Sequence, residues 1–245
     1  MRYGIISDVH SNVVALRAVL DELAEAGVDE YLCLGDIVGY GPRPNQCCDL
    51  IRELNCRSVR GNHDEAAVDP SKAEWFTSPA RACLLWNRRQ LREDNLKFLA
   101  TLEPAMPIGE DITICHGSVP DADHYTVTPA DAALSFEVMQ TALALFGHTH
   151  YAEWFTLRDG DGLPTEHPHP RGGTCKIEHG LLYLVNPGAV GQPRDGNEDA
   201  AYAVYDDDTG EVRLHRIEYD IARTSEQMRQ AGLPESMWAR LWLGV

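Results

Sequence analysis

Five times in the first 150 residues a short apolar run stops at a polar side chain. Residues 3–7 (Tyr-Gly-Ile-Ile-Ser) end at Asp8, residues 30–34 (Glu-Tyr-Leu-Cys-Leu) at Gly35-Asp36, and residues 57–60 at Gly61-Asn62. Residues 111–115 (Asp-Ile-Thr-Ile-Cys) end at His116, and residues 143–146 (Leu-Ala-Leu-Phe) at Gly147-His148. Runs of this length with such stops predict buried strands. Helical patterns separate the first three. Residues 13–26 set Val13, Leu16, Val19, Leu20 and Leu23 on one face before Gly27 ends the helix, and a second helix follows around 44–54. Strand, helix, strand, helix, strand predicts a parallel α/β sheet. Such a sheet binds ligands at the carboxyl ends of its strands, so residues far apart in sequence are expected to meet there.

The remainder predicts helix over 79–102 with a break near Glu93-Asp94, and helix again over 129–141. Beyond His150 come short runs at 151–158, 174–178, 181–185, 201–206 and 211–218, which predict a second, more antiparallel sheet. The segment 159–173, rich in Gly, Pro and His, predicts a surface loop with His167 and His169 in solvent. The tail from 222 to 243 is helical in pattern, with Trp238, Leu241 and Trp242 expected to pack on the body. No linker interrupts the chain, so residues 1–245 are expected to form a single domain. That length can bury a sizeable core without disulfides. The seven cysteines are odd in number and form no Cys-x-x-Cys pair, and Cys33 and Cys115 fall inside predicted strands, which points to reduced thiols. No charged and apolar leader precedes the strand at Arg2, and no run of 18 apolar residues occurs, so a cytoplasmic protein with no membrane association is expected. The formal net charge of −17 weighs against a long nucleic acid as partner. It leaves room for a small phosphorylated substrate, because metal ions reverse the local field.

The strand-end residues carry metal-ligand chemistry. Asp8 and His10 sit two apart in one loop; Asp36 comes from the neighbouring strand and has two oxygens with which to bridge two cations. Asn62 offers a neutral carbonyl oxygen, and His116, His148 and His150 offer imidazole nitrogens. A nitrogen and oxygen set without sulfur suits Mn, Fe, Co or Zn and fits calcium poorly. Two such ions about 3.5–4 Å apart can hold a phosphate and an attacking hydroxide between them. Any one of these motifs alone is commonplace, since Asp and His often cap helices and a Gly-Asp pair is usually a turn. The ordered set is not: it takes in five of the ten histidines.

The order Asp8-Val9-His10, Gly35-Asp36, Gly61-Asn62-His63-Asp64, His116-Gly117 and Gly147-His148-Thr149-His150 resembles the calcineurin-like metallophosphoesterase superfamily. The resemblance implies an α/β fold, a four-layer αββα sandwich of two mixed sheets flanked by helices. It places one ion on Asp8, His10, Asp36 and His150, and the other on Asp36, Asn62, His116 and His148, with manganese favoured for activity. It gives His63 to the substrate rather than to a metal, as the catalytic acid that protonates the leaving group. A further stretch, Asn186 to Gly196, is similar to the end signature of the small bacterial and archaeal phosphodiesterase branch, except that Ala189 stands where a Ser is usual. Gly39 and Tyr40 occupy the positions where the protein phosphatase branch carries Asp and Arg.

The implied activity is hydrolysis of a small phosphodiester by a metal-activated hydroxide. A phosphomonoesterase, a non-catalytic protein-binding scaffold on the same fold, and a nuclease are the alternatives. Intact ligand positions weigh against the scaffold, and acidic charge against the nuclease. Arg194, after a glycine-rich turn, is a candidate anchor for the substrate phosphate, the alternative being a surface ion pair with Asp195 or a neighbour.

Overall fold

The structure, a computed structural model, describes residues 1–158, 160 and 162–245. The first elements alternate as the periodicity predicts: β1 (Arg2–Ile6), α1 (Val13–Glu25), β2 (Glu30–Cys33), α2 (Pro44–Glu53) and β3 (Arg57–Ser58). Next come α3 (Asn62–Val68), a 3₁₀ segment (Pro70–Trp75), α4 (Ser78–Gln90), α5 (Glu93–Ala100), β4 (Ala105–Ile108), β5 (Ile112–Cys115), α6 (Pro129–Phe136) and β6 (Leu143–Leu145). Six strands follow, β7 (Ala152–Arg158), β8 (Thr165–Pro168), β9 (Gly173–Lys176), β10 (Leu181–Pro187), β11 (Ala200–Asp206) and β12 (Glu211–Ile217), and then α7 (Ile221–Gln230) and α8 (Glu235–Ala239).

Two mixed sheets result, ordered β3-β2-β1-β11-β12-β9 and β4-β5-β6-β10-β7-β8. The alternation of side chains along each strand builds the layers. Ile5, Leu32, Ile112, Ile114, Leu143, Leu145 and Val185 meet in the core between the sheets. Their neighbours Ile6 and Cys33 face outward onto α1 and α2 through Leu16, Val19 and Ile51. On the opposite side Cys115, Ala144 and Phe146 face α6 through Ala132 and Phe136. Parallel pairing of β1 with β2 and β2 with β3 brings three strand ends together, and parallel pairing of β5 with β6 brings two more from the second sheet.

The later strands do not make a sheet of their own, as the pattern beyond His150 predicts. β9, β11 and β12 extend the first sheet from β1, and β7, β8 and β10 extend the second from β6. Each parallel run would otherwise leave a row of unpaired backbone groups, and the later strands satisfy them. The predicted loop 159–173 contains β8, whose His167 lies opposite Trp154; Asp159 and Asp161 of that loop fall outside the described residues. His167 and His169 are half-buried rather than solvated, and His169 stacks on Trp154 at 3.8 Å.

The helix expected over 79–102 is two helices, broken at Leu91-Arg92, where Arg92 leaves the axis to pair with Asp49 at 2.6 Å. Helix α6 ends at Phe136, short of the expected 141. Leu241 is buried beneath α7 and α8, but Trp242 is 51% exposed and does not pack as expected. The cysteines are free thiols, six of them buried. Among the described residues no helix is long and apolar enough to cross a membrane.

Candidate active site

The loops after β1 and β2 are stitched by backbone bonds, Asp8 N–H to Gly35 O at 3.1 Å and His10 N–H to Asp36 O at 2.8 Å. The loops after β5 and β6 are joined likewise, Gly147 N–H to His116 O at 2.7 Å. The two halves meet where the His148 N–H donates to Asp8 Oδ2 at 3.0 Å. All seven predicted ligands and His63 therefore converge on one point between the sheets.

Two clusters of donor atoms share Asp36. In the first, His150 Nε2 lies 3.2 Å from Asp8 Oδ1 and 3.1 Å from His10 Nε2, which is 3.5 Å from Asp36 Oδ2. In the second, His116 Nε2 lies 3.4 Å from the same Asp36 Oδ2, 3.3 Å from Asn62 Oδ1 and 3.1 Å from His148 Nδ1. His63 is close: with His10 and Asp36 it makes a third group whose donor atoms lie within 4.8 Å of one another.

The tautomers are set from behind. His150 Nδ1 donates to Gln192 O at 2.5 Å and His116 Nδ1 to Leu34 O at 2.7 Å, which turns each Nε2 inward. His10 Nδ1 lies 3.3 Å from Val38 O, so its Nε2 is turned toward that of His150. Two imidazole lone pairs 3.1 Å apart repel unless a cation lies between them. Asp8 Oδ1 and His148 Nε2, both buried, have no hydrogen-bond partner. The donor set fits divalent metal binding.

Electrostatics agree. Burial pulls His10 well below its ordinary value and His148 down to about 3, so both are neutral donors. Burial also opposes a charge on His116, but the Asp36 carboxylate beside it prevails and raises it to about 10. Burial opposes the Asp36 charge too, yet His116, His63 and His10 together hold it well below the usual carboxylate range.

Backbone geometry is part of the cost. Asp8, His10, Asp36, His148 and His150 all have positive φ, between 47° and 68°. A Cβ on Gly61 would collide with Asp36 Oδ1, which explains the glycine before Asn62. Asp64, the last residue of that motif, accepts from the N–H groups of Ile37, Val38 and Gly61 and so ties α3 to the Asp36 loop.

His63 packs against Phe76 at 4.5 Å and lies 3.1 Å through Nε2 from the Tyr40 hydroxyl. Burial pulls it down to about 4. Tyr40 also accepts from Arg194 Nη2 at 3.0 Å, while Asp195 pairs with Arg216 instead, so the surface ion pair with Arg194 is not formed. His63, Tyr40 and Arg194 line a cavity of about 640 Å³ that opens beside Asn62 and His148.

Sequence reasoning missed Tyr40, and also Asn87. The Asn87 side chain accepts from Ser11 Oγ at 2.5 Å and from Gly39 N–H at 3.3 Å, and donates to Gly41 O at 2.9 Å. Asn186 explains the stretch it opens: it donates to Gly147 O at 3.0 Å and Thr149 Oγ1 at 2.9 Å, bracing the loop that carries two ligands.

Comparison with known proteins gives one family. The model of the calcineurin-like phosphoesterase superfamily domain matches residues 1–210. An uncharacterized protein of Methanocaldococcus jannaschii, MJ0912, is 35% identical over 98% of this chain and 97% of its own. The Escherichia coli phosphodiesterase YfcE is 24% identical over 85% of this chain and 89% of its own. The crystal structure of a metallophosphoesterase from Sphaerobacter thermophilus superposes over the full length of both chains with a TM-score of 0.86 and 43% identity.

Proposed function

The chain belongs to the calcineurin-like phosphoesterase superfamily, and from that premise we propose that it hydrolyses small phosphodiesters with the help of two divalent transition-metal ions, manganese serving best. The observation that carries this reading is the pair of donor clusters sharing Asp36 Oδ2, in which side chains from both sheets bring nitrogen and oxygen donors together. When bound, two such ions neutralise phosphoryl oxygens and acidify water.

The protein's own groups do the rest. Asp8, His10 and His150 would hold one ion, and Asn62, His116 and His148 the other, with Asp36 near both. The His116 and His150 rings are fixed by carbonyls, so these two need not reorient when charge develops in the transition state. Arg194, fixed by Tyr40, offers guanidinium N–H groups to a non-bridging oxygen. His63 is the general acid. It faces the cavity and is oriented by the Tyr40 hydroxyl, and the negative charge of an incoming phosphate supplies what burial denies its proton. Tyr40 and Gly39 leave His63 without a carboxylate partner, which favours diesters over the phosphoprotein substrates of the phosphatase branch.

Two measurements test this. Metal analysis of protein purified without chelator should return close to two ions per chain, and Asp36→Asn should lose most of both. Manganese-supported turnover of bis(p-nitrophenyl) phosphate should exceed that of p-nitrophenyl phosphate. The reverse order would make the protein a monoesterase, and no turnover of either with an empty site would make it a scaffold.

A further inference from the structure

The cavity beside the candidate metal site is lined by aromatic planes, and by a guanidinium besides that of Arg194, to which the hydrolytic reaction assigns no role. Trp75, at the end of the 3₁₀ segment, is 94% exposed, and Tyr125 is 51% exposed. Both line the cavity wall. Tyr125 lies 3.8 Å from the His148 ring, so its plane begins where the metal centre ends. Phe76, the residue after Trp75, faces His63. A large indole left almost wholly in water serves no packing role. Its one structural relation is to the space it borders.

The same space is framed by cations. Arg194 Nε is buried with no hydrogen-bond partner, and Arg240 also lines the cavity. Arg240 donates through Nε to the main-chain oxygen of Val245, and Arg194 through Nη2 to the Tyr40 hydroxyl, so each is held at the wall of this space. Two guanidiniums lining one space favour an anion within it. Lys72 is already paired with Glu65 at 3.4 Å. Around the rim, Asp123 offers a carboxylate and Ser71 and Thr77 offer hydroxyls, and these can meet amino and carbonyl edges of a heterocycle.

We propose that the substrate is a nucleotide: a phosphodiester of a single nucleoside, with the phosphate between the metal centre and Arg194 and Arg240, and the base stacked on Trp75. This rests on the phosphodiesterase reading and names its substrate class. The juxtaposition of exposed indole, guanidiniums and metal cluster around one cavity of about 640 Å³ carries it. A lipid diester would need an extended apolar surface, whereas this wall is aromatic with a polar rim. A polynucleotide is disfavoured by the net charge of −17.

Calorimetry on the metal-loaded protein separates the base from the phosphate. AMP and ribose 5-phosphate carry the same phosphate and sugar, so any difference is the base. Stacking of one base on an aromatic side chain predicts tighter AMP binding by roughly 5-fold to 100-fold. Trp75→Ala should reduce that ratio to below about 3, and Trp242→Ala, which removes an exposed indole outside the cavity, should leave it intact. In parallel, the KM for thymidine 5′-(p-nitrophenyl phosphate) should lie below that for methyl p-nitrophenyl phosphate, which has the same leaving group. AMP binding no tighter than ribose 5-phosphate, or a ratio unmoved by Trp75→Ala, overturns the proposal. Because the binding arm needs no turnover, absence of diester hydrolysis would defeat the phosphodiesterase reading without touching the nucleotide site.

Discussion

Which atom of His63 meets the substrate decides what its loss will cost. Its Nε2 is engaged by Tyr40, its Nδ1 is buried with no partner, and its backbone N–H donates to Asp36 Oδ1 at 2.8 Å. The backbone bond survives truncation of the ring, so His63→Ala should keep metal content near wild type. General acid catalysis contributes roughly 10²–10⁴-fold, and kcat should fall by about that factor for a diester with an alkyl leaving group. For a p-nitrophenolate leaving group, which needs little protonation, the fall should be much smaller. Equal losses for both esters, or loss of metal, would make His63 a positioning residue or a third ligand, in line with its closeness to His10 and Asp36.

At the scale of elements, α4 is the brace. Asn87 on that helix holds the loops after β1 and β2 at once, by bonds to Ser11, Gly39 and Gly41. Asn87→Ala removes these and leaves buried groups unsatisfied, so unfolding free energy should drop by roughly 2–4 kcal/mol in a denaturant titration, with weaker metal binding as the accompanying sign. None of this was legible beforehand. Asn87 lies 76 residues from Ser11 and reads locally as one more polar residue on an amphipathic helix. Tyr40 was hidden for the same reason, since its partners His63 and Arg194 arrive from elsewhere in the chain. The ligands themselves were legible because a polar residue ending an apolar run is a local signal, and a parallel sheet converts that signal into convergence. Strand membership beyond His150 was not, because period-2 patterning fixes which face a residue takes but not which sheet edge its strand joins. The short helix α3 escaped notice because its first turn is the ligand motif itself, polar and only seven residues long.

For the whole molecule, the candidate site joins one sheet to the other, with Asp8, His10, Asp36 and Asn62 following strands of the first sheet and His116, His148 and His150 following strands of the second. Ions bound at 100 to 1,000 times their Kd stabilise by about 3–4 kcal/mol, so chelation should lower Tm by roughly 10 °C in differential scanning calorimetry. A second global effect comes from Glu153 on β7. It is buried, its Oε1 has no partner, and Glu166 and Asp195 are near; burial, with those charges, pushes its carboxyl up to about 8. Between its ordinary 4.5 and about 8 the folded chain holds a proton that the unfolded chain releases, so stability falls as pH rises through that window. Glu153→Gln should therefore raise Tm more at pH 8 than at pH 5. An equal gain at both values would show that this carboxyl does not titrate on unfolding.

The left-handed backbone at Asp8, His10, Asp36, His148 and His150 gives evolutionary drift a direction. Each such conformation costs a side chain of order 1–3 kcal/mol, and glycine adopts it nearly free of charge. While the ions are needed, selection holds these residues against that gradient. A lineage released from catalysis would slide along it, losing ligands first and gaining robustness as it went. A library of this protein selected for heat resistance in the presence of chelator should accordingly accumulate Gly and Asn at these five positions before it alters the core.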